Sequence, residues 1–371
     1  MAAGINSRAG AMAGAGIVAA LRYLIFTIRS YAHLQWFPRE WHARCHAKGS
    51  YQMKIKLLSL SVTIAAALSV NAPAQASWPE RPVRIIVNFG PGGSTDNAAR
   101  PYADRLSKAL GQQFVIENKS GASGTIGVEG FVRAAPDGYT LLVTGSPVLA
   151  VIPQARKVSW DPLKDLVPVA HLTDYMLPIV VNPSLPANSI KELQDYAKAN
   201  PGKLNCGSAG LGTLTHLICE SLKSVAGIDN LHVPYRGGAD ALNDFLAGVT
   251  QIHSEPNVMP HVPSGKAKLL AIADRARHPD FPNVPLISET HPDIAIVGWF
   301  GLFAPTGTPP AIVKRLNEEV TKIAADPDLQ KHFLRLAQRV ASGTPEQFAA
   351  LLQKDWEYYG KLVKTLNLKL E

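Results

Sequence analysis

Val83-Arg84-Ile85-Ile86-Val87-Asn88-Phe89 runs into Gly90-Pro91-Gly92-Gly93-Ser94-Thr95-Asp96, and residues 97–110 follow with Ala99, Tyr102, Ala103, Leu106 and Leu110 at helical spacing. The first seven residues are a near-continuous apolar run, the pattern of a strand buried on both faces. The next seven are small, turn-forming residues. Gly111 then stops the helix in the usual left-handed position. A strand, a glycine-rich loop and a helix in this order place free backbone N–H groups at a helix start, beside residues small enough for a ligand to approach the chain.

Outward from this stretch the same order returns. Phe114-Val115-Ile116-Glu117 reads as a second strand. A glycine-rich loop at 121–127 leads into a helix through Ala135, Pro136-Asp137-Gly138 turns the chain, and residues 139–144 read as a third strand. This β-α-β-α-β order specifies a parallel sheet with helices on its faces. A second unit begins with a strand at 177–181. Ser189-Ile190-Lys191-Glu192 is a capping box opening a helix that ends at Asn200-Pro201-Gly202. Leu204-Asn205-Cys206-Gly207 is again a strand, followed by a glycine-rich loop and a helix to Ala226. Residues 232–235 and 269–273 read as extended and 240–246 as helical. The last third holds a long extended segment at 294–304 and two helices, one after Thr308-Pro309-Pro310 and one at Thr344-Pro345-Glu346-Gln347. The expected fold is therefore α/β, with two Rossmann-like lobes around a cleft. Crossings near 176–183 and 297–305 make the first lobe discontinuous (77–176 and 298–371) and leave 177–297 as the second. Two crossover segments suit hinge closure around a ligand.

The chain has 371 residues, 46% apolar and 18% charged, an ordinary globular composition. The net charge of +8 does not argue for a nucleic-acid partner. Eight of the 37 basic residues and one of the 29 acids lie in residues 1–76, so the remainder carries about +1. Within that segment, Met53-Lys54-Ile55-Lys56, the uncharged stretch 57–70 and Ala74-Gln75-Ala76 follow the order of a cleaved secretory signal peptide. The expectation is an exported, soluble periplasmic chain beginning at Ser77. Residues 1–52 show no clean period and read either as translation from an early start codon or as a long leader. Cys206 and Cys219 are 13 apart, compatible with a disulfide in an oxidising compartment or with two buried thiols.

The candidate site rests on two loops. In the first, the backbone of Gly90, Gly92, Gly93, Ser94 and Thr95 would hold an anion at a helix start. Asp96 would repel one, so a helix N-cap is the better reading for it. The second loop, Gly207-Ser208-Ala209-Gly210-Leu211-Gly212-Thr213, repeats the arrangement in the other lobe. Facing loops at the carboxyl ends of strands give two anion-friendly jaws. Thr144 and Ser146 end the third strand and offer hydroxyls. His216 reads as a ligand contact or a structural histidine, and Arg236 as a carboxylate clamp or a surface residue. No nucleophile–base constellation, P-loop, dinucleotide fingerprint or HExxH occurs, so no enzyme activity, cofactor or metal is expected.

Several motifs in order carry a resemblance over residues 79–368: Pro82-Val83-Arg84-Ile85-Ile86-Val87 with Gly92-Gly93-Ser94-Thr95-Asp96; Ala134-Ala135-Pro136-Asp137-Gly138-Tyr139-Thr140; Ala199-Asn200-Pro201-Gly202-Lys203-Leu204; Gly207-Ser208-Ala209-Gly210 with Thr213 and His216; His232-Val233-Pro234-Tyr235-Arg236-Gly237; and Trp299-Phe300-Gly301-Leu302-Phe303-Ala304-Pro305. The chain resembles the Bug family, the extracytoplasmic receptors of tripartite tricarboxylate transporters. The resemblance implies a type II periplasmic-binding-protein fold and a small carboxylate-bearing ligand. The ligand would be held by both glycine loops through backbone and hydroxyl groups, with Phe89 beside them. It also implies two membrane subunits as partners; a monomer is expected. Presentation of the ligand to a sensor kinase, or a periplasmic hydrolase, are the alternatives. Two departures stand near the expected cleft. Asn88 replaces the family's usual Pro. Glu255, in Ser254-Glu255-Pro256-Asn257, stands near the place of its usual Phe-Asp and is a further candidate contact.

Overall fold

The computed structural model describes residues 78–370 apart from 295, 366 and 367. The expected leader and signal peptide at 1–76 lie outside the described residues. Strand β1 (Val83–Val87) leads to helix α1 (Ser94–Leu110), β2 (Phe114–Asn118), α2 (Thr125–Val132) and β3 (Thr140–Gly145). Two short helices, α3 (Ser146–Ala150) and α4 (Ile152–Ala155), precede β4 (Leu166–Tyr175). Next come β5 (Leu177–Val181), α5 (Ile190–Ala199), β6 (Asn205–Ser208), α6 (Leu214–Ser224), β7 (Leu231–Pro234), α7 (Gly238–Leu246), β8 (Ile252–His253) and β9 (Lys268–Ala273). The chain ends with β10 (Gly298–Pro305), α8 (Pro310–Ala324), α9 (Pro327–Leu334), β11 (Gln338–Val340) and α10 (Pro345–Thr365).

The strands form two sheets, ordered β11-β4-β10-β3-β1-β2 and β7-β6-β8-β5-β9. In the first, β1 lies parallel to β2 and β3, as the β-α-β-α-β pattern requires, while β10 is inserted antiparallel between β3 and β4. In the second, β6 is parallel to β7 and β8, and β5 is antiparallel to β8 and β9. The chain leaves the first sheet after Tyr175 and returns to it at Gly298. Strand β4 has no counterpart in the sequence reading. Its pairing with β10 shifts register twice, and Pro168 lies within it, so its buried positions do not alternate. Bulges of this kind erase the period-two signal.

Burial follows the elements. Ile85, Val87, Leu141 and Val143 of the central strands are covered by Ala99, Tyr102, Ala103 and Leu106 of α1. On the other face Ile86 and Leu142 pack with Val128 and Phe131 of α2, and with Phe303, Phe348 and Leu352. The C-terminal helix α10 thus closes the first sheet. In the second lobe, Cys206 and Cys219 form a disulfide with Cα atoms 5.8 Å apart, tying β6 to α6 across the glycine-rich loop between them.

Candidate functional site

Helix α1 begins at Ser94, three residues earlier than the sequence pattern suggested. Gly93, in extended conformation, is its N-cap and makes no side-chain cap bond. Asp96 is therefore the third residue of the helix and not its cap. Its carboxylate reaches back to accept the Gly92 N–H at 2.9 Å and also takes hydrogen bonds from Arg100 and the Asn118 amide. Burial alone would push this carboxyl up, but the bonds from Arg100, Asn118 and Gly92 outweigh it and hold the group below the ordinary aspartate value. All of these partners belong to the protein. Asp96 fixes the shape of the loop and does not line the cleft.

The second loop is built differently. Thr213 caps α6, its hydroxyl accepting from the His216 N–H and donating to Gly210 O at 2.6 Å. The Gly212 N–H donates to Nδ1 of His216 at 3.1 Å. Ser208 shares a 2.6 Å hydrogen bond with His232, whose ring stacks on His216 with centroids 4.2 Å apart. Burial, with the His216 charge second, pushes His232 down to about 3, and burial lowers His216 as well. Both rings are neutral scaffolding behind the loop. Together with Glu220, whose Oε1 lies 3.8 Å from Nε2 of His216, they form a cluster able in principle to hold a metal. However, Nδ1 of His216 accepts a backbone N–H, so the imidazole proton sits on Nε2, the nitrogen a metal would need. The hydrogen bonds from Gly212 to His216 and between Ser208 and His232 hold the two rings as framework behind the loop.

The two helix starts meet. Gly93, Ser94 and Thr95 of the first loop, Thr213, Leu214 and Thr215 of the second, and Gly238 at the start of α7 surround one cavity. First-turn N–H groups have no partner within their own helix, and those of Ser94, Thr95, Leu214, Thr215 and Gly238 have none elsewhere among the described residues. Phe89, Ala209, Gly145, Pro147, Tyr175, Phe300 and Glu255 complete the lining. The cavity volume is about 30 Å³, room for about two water molecules. Contacts across the cleft account for this. Ser94 Oγ donates to Glu255 Oε2 at 2.6 Å. Gly93 faces Gly238, and a Cβ on Gly210 would stand 2.9 Å from Ser123 Oγ of the loop before α2. In this conformation the space between the helix starts is too small for a ligand of several carbon atoms.

Of the residues singled out in the sequence, Phe89, Gly93, Ser94, Thr95, Ala209, Thr213 and Glu255 line this cavity; Gly90, Gly92, Asp96, Thr144, Ser146, Ser208, Gly210, Gly212, His216 and Arg236 do not. Thr144 Oγ1 is occupied by Asn88, whose amide donates to it at 3.0 Å and to Gly124 O at 3.2 Å. Asn88 is thus a framework residue. Ser146 Oγ is buried and lacks a partner among the described residues. Arg236 is exposed, with no ion pair among the described residues, and lies on the surface in this conformation. Sequence reading missed Tyr175 and Phe300, which stack with centroids 4.4 Å apart on β4 and β10. Nothing local marks them, because only the pairing of those strands brings the rings together. Glu255 is buried without a countercharge among the described residues, and burial pushes its carboxyl up to about 7 against the opposing hydrogen bond from Ser94.

Residues 98–368 match the family described as tripartite tricarboxylate transporter family receptors. A UPF0065 protein of Bordetella bronchiseptica is 36% identical over 331 residues, covering 88% of this chain and 97% of that protein. Among solved structures, the fold is similar to R. palustris Rpa4515 with adipate (TM-score 0.76, 31% identity, covering 79% of this chain and 99% of that one). It is also similar to MatC from Rhodopseudomonas palustris with bound malate (TM-score 0.73, 31% identity, 77% and 100%).

Proposed function

Because the chain belongs to the tripartite tricarboxylate transporter receptor family, we propose that it is a periplasmic receptor. It captures a small carboxylate-bearing molecule between its lobes and delivers it to two membrane subunits. The observation that carries this reading is the convergence of the α1, α6 and α7 starts on one cavity whose lining contains no Lys, Arg or His. Three sets of unpaired N–H groups, each at the positive end of a helix dipole, suit a carboxylate without a charged side chain. Adipate and malate in the related structures are ligands of that class. The ligand contacts we assign are the N–H groups of Ser94, Thr95, Leu214 and Thr215, with the hydroxyls of Ser94, Thr95 and Thr213.

Residues 77–176 and 298–371 then form one jaw and 177–297 the other. Opening about the two crossover segments would admit the ligand, and closure would restore the cross-cleft contacts. The segment 53–76 supplies the export signal in this reading. No helix among the described residues is long and apolar enough to cross a membrane. A thermal-shift screen with small carboxylates and their amides tests the proposal. A ligand at a hundredfold excess over its Kd adds about 2.7 kcal/mol. An acid that stabilises the protein while its amide does not is the expected result; amides that match their acids throughout would contradict it.

A further inference from the structure

Among the described residues the cavity is lined by one acidic side chain and no basic one. Glu255 follows β8, in the second lobe, and the polypeptide around it is apolar or uncharged. From α1 it faces Ser94 and Thr95, from β4 Tyr175, from the start of α7 Gly238, and from its own segment Ser254. Of these only Tyr175 titrates, and burial, with the charge of Glu255 second, pushes that phenol up, so it stays neutral. Glu255 Oε2 accepts the Ser94 hydroxyl at 2.6 Å, while Oε1 accepts no hydrogen bond among the described residues. No Lys, Arg or His among the described residues pairs with this carboxylate; His253, two residues away, is buried and turned to Asn257 and Phe245. Asp96, two residues after Ser94, is neutralised by Arg100 outside the cavity.

This arrangement is polarised. Helix starts offer positive potential and N–H donors to a ligand carboxylate, while Oε1 of Glu255 offers an unused acceptor and a negative charge. A second carboxylate placed against Glu255 would meet a like charge. A protonated amine there would supply the missing donor and the missing countercharge together.

We infer that Glu255 sets the ligand class: it selects a molecule carrying a protonated amine beside its carboxylate, an amino-acid zwitterion, over a dicarboxylate of similar length. The inference rests on the carboxylate-receptor reading and narrows it. In the rival arrangement a protonated Glu255 donates to a ligand carboxylate, which predicts the opposite order of affinities and tighter binding at pH 6 than at pH 8.

The test is titration calorimetry of the exported protein at pH 8. Dicarboxylates of three to six carbons are compared with the corresponding ω-amino acids, and malate with aspartate, against wild type and Glu255→Gln. If the inference holds, the tightest binder carries an ammonium group and exceeds its dicarboxylate or hydroxy-acid counterpart about tenfold or more. Glu255→Gln, which keeps an acceptor for Ser94, removes that preference while still binding the carboxylate end. A tightest binder without an ammonium group, or a preference that survives in Glu255→Gln, overturns the inference and leaves the carboxylate receptor standing. Failure of every probe to bind either protein refutes the receptor reading, and this inference with it.

Discussion

Replacing Glu255 by Gln should make the stability of the ligand-free protein less sensitive to pH, in a direction the structure specifies. Burial raises this carboxyl from 4.5 to about 7. A raised carboxyl binds its proton more tightly in the folded state, so its contribution is fully present below 4.5 and is lost as pH rises through about 7. At 1.36 kcal/mol per unit, the loss amounts to about 3 kcal/mol between pH 4.5 and pH 8. Glutamine has the same shape, accepts the Ser94 hydroxyl and does not titrate. The variant should therefore gain about 3 kcal/mol relative to wild type as pH rises across that window, or about 6 °C in thermal midpoint. His232 and His253, pushed by burial to about 3 and about 4, lose stability as pH falls below their unfolded value. They are present in both proteins and cancel in the difference. The assay is the thermal midpoint of each protein at pH 4.5 and pH 8, after exhaustive dialysis. An offset between them that is the same at both pH values would show that Glu255 is not a buried, uncompensated acid, and the reasoning about it would fail.

Gly93→Val should leave the midpoint within a few degrees and weaken ligand binding at least tenfold, because its Cβ would meet only Gly90 O at 3.4 Å and, across the cleft, Gly238 N at 4.0 Å; binding at wild-type affinity would remove Gly93 from the jaw. Gly210→Val should instead destabilise the second lobe, since Gly210 has φ +128 and a Cβ there would crowd Ser123 and Tyr235 O; a wild-type midpoint by calorimetry would contradict this. Asn88→Ala leaves Gly124 O and the Thr144 hydroxyl without their donor and should cost about 1–3 kcal/mol in urea unfolding, whereas an unchanged midpoint would mean that water replaces the amide. Reduction of the Cys206–Cys219 bridge, which closes a loop of 13 residues, should cost about 3 kcal/mol on the chain-entropy account, measured as the difference in unfolding free energy with and without dithiothreitol; no difference would place its effect outside stability.

The sequence by itself determined the order of elements in the parallel half of each lobe and the two glycine-rich loops, because those features are local. An apolar run, small turn residues and a helical period within 83–110 suffice to write β1, the loop and α1, and the same logic writes β6, its loop and α6. It missed β4, where bulges against β10 break the alternation. It took Asp96 for a helix cap, because the start of α1 depends on where Gly93 turns, a matter of three residues that propensity does not resolve. What surrounds the cavity was decided only by tertiary structure. Ser94 and Glu255 are 161 residues apart, and Tyr175 and Phe300 meet because β10 inserts between β3 and β4. Periodicity records which face of an element is buried. It does not record which element from the other lobe will cover that face, and the charge of Glu255 acquires its meaning from that second fact.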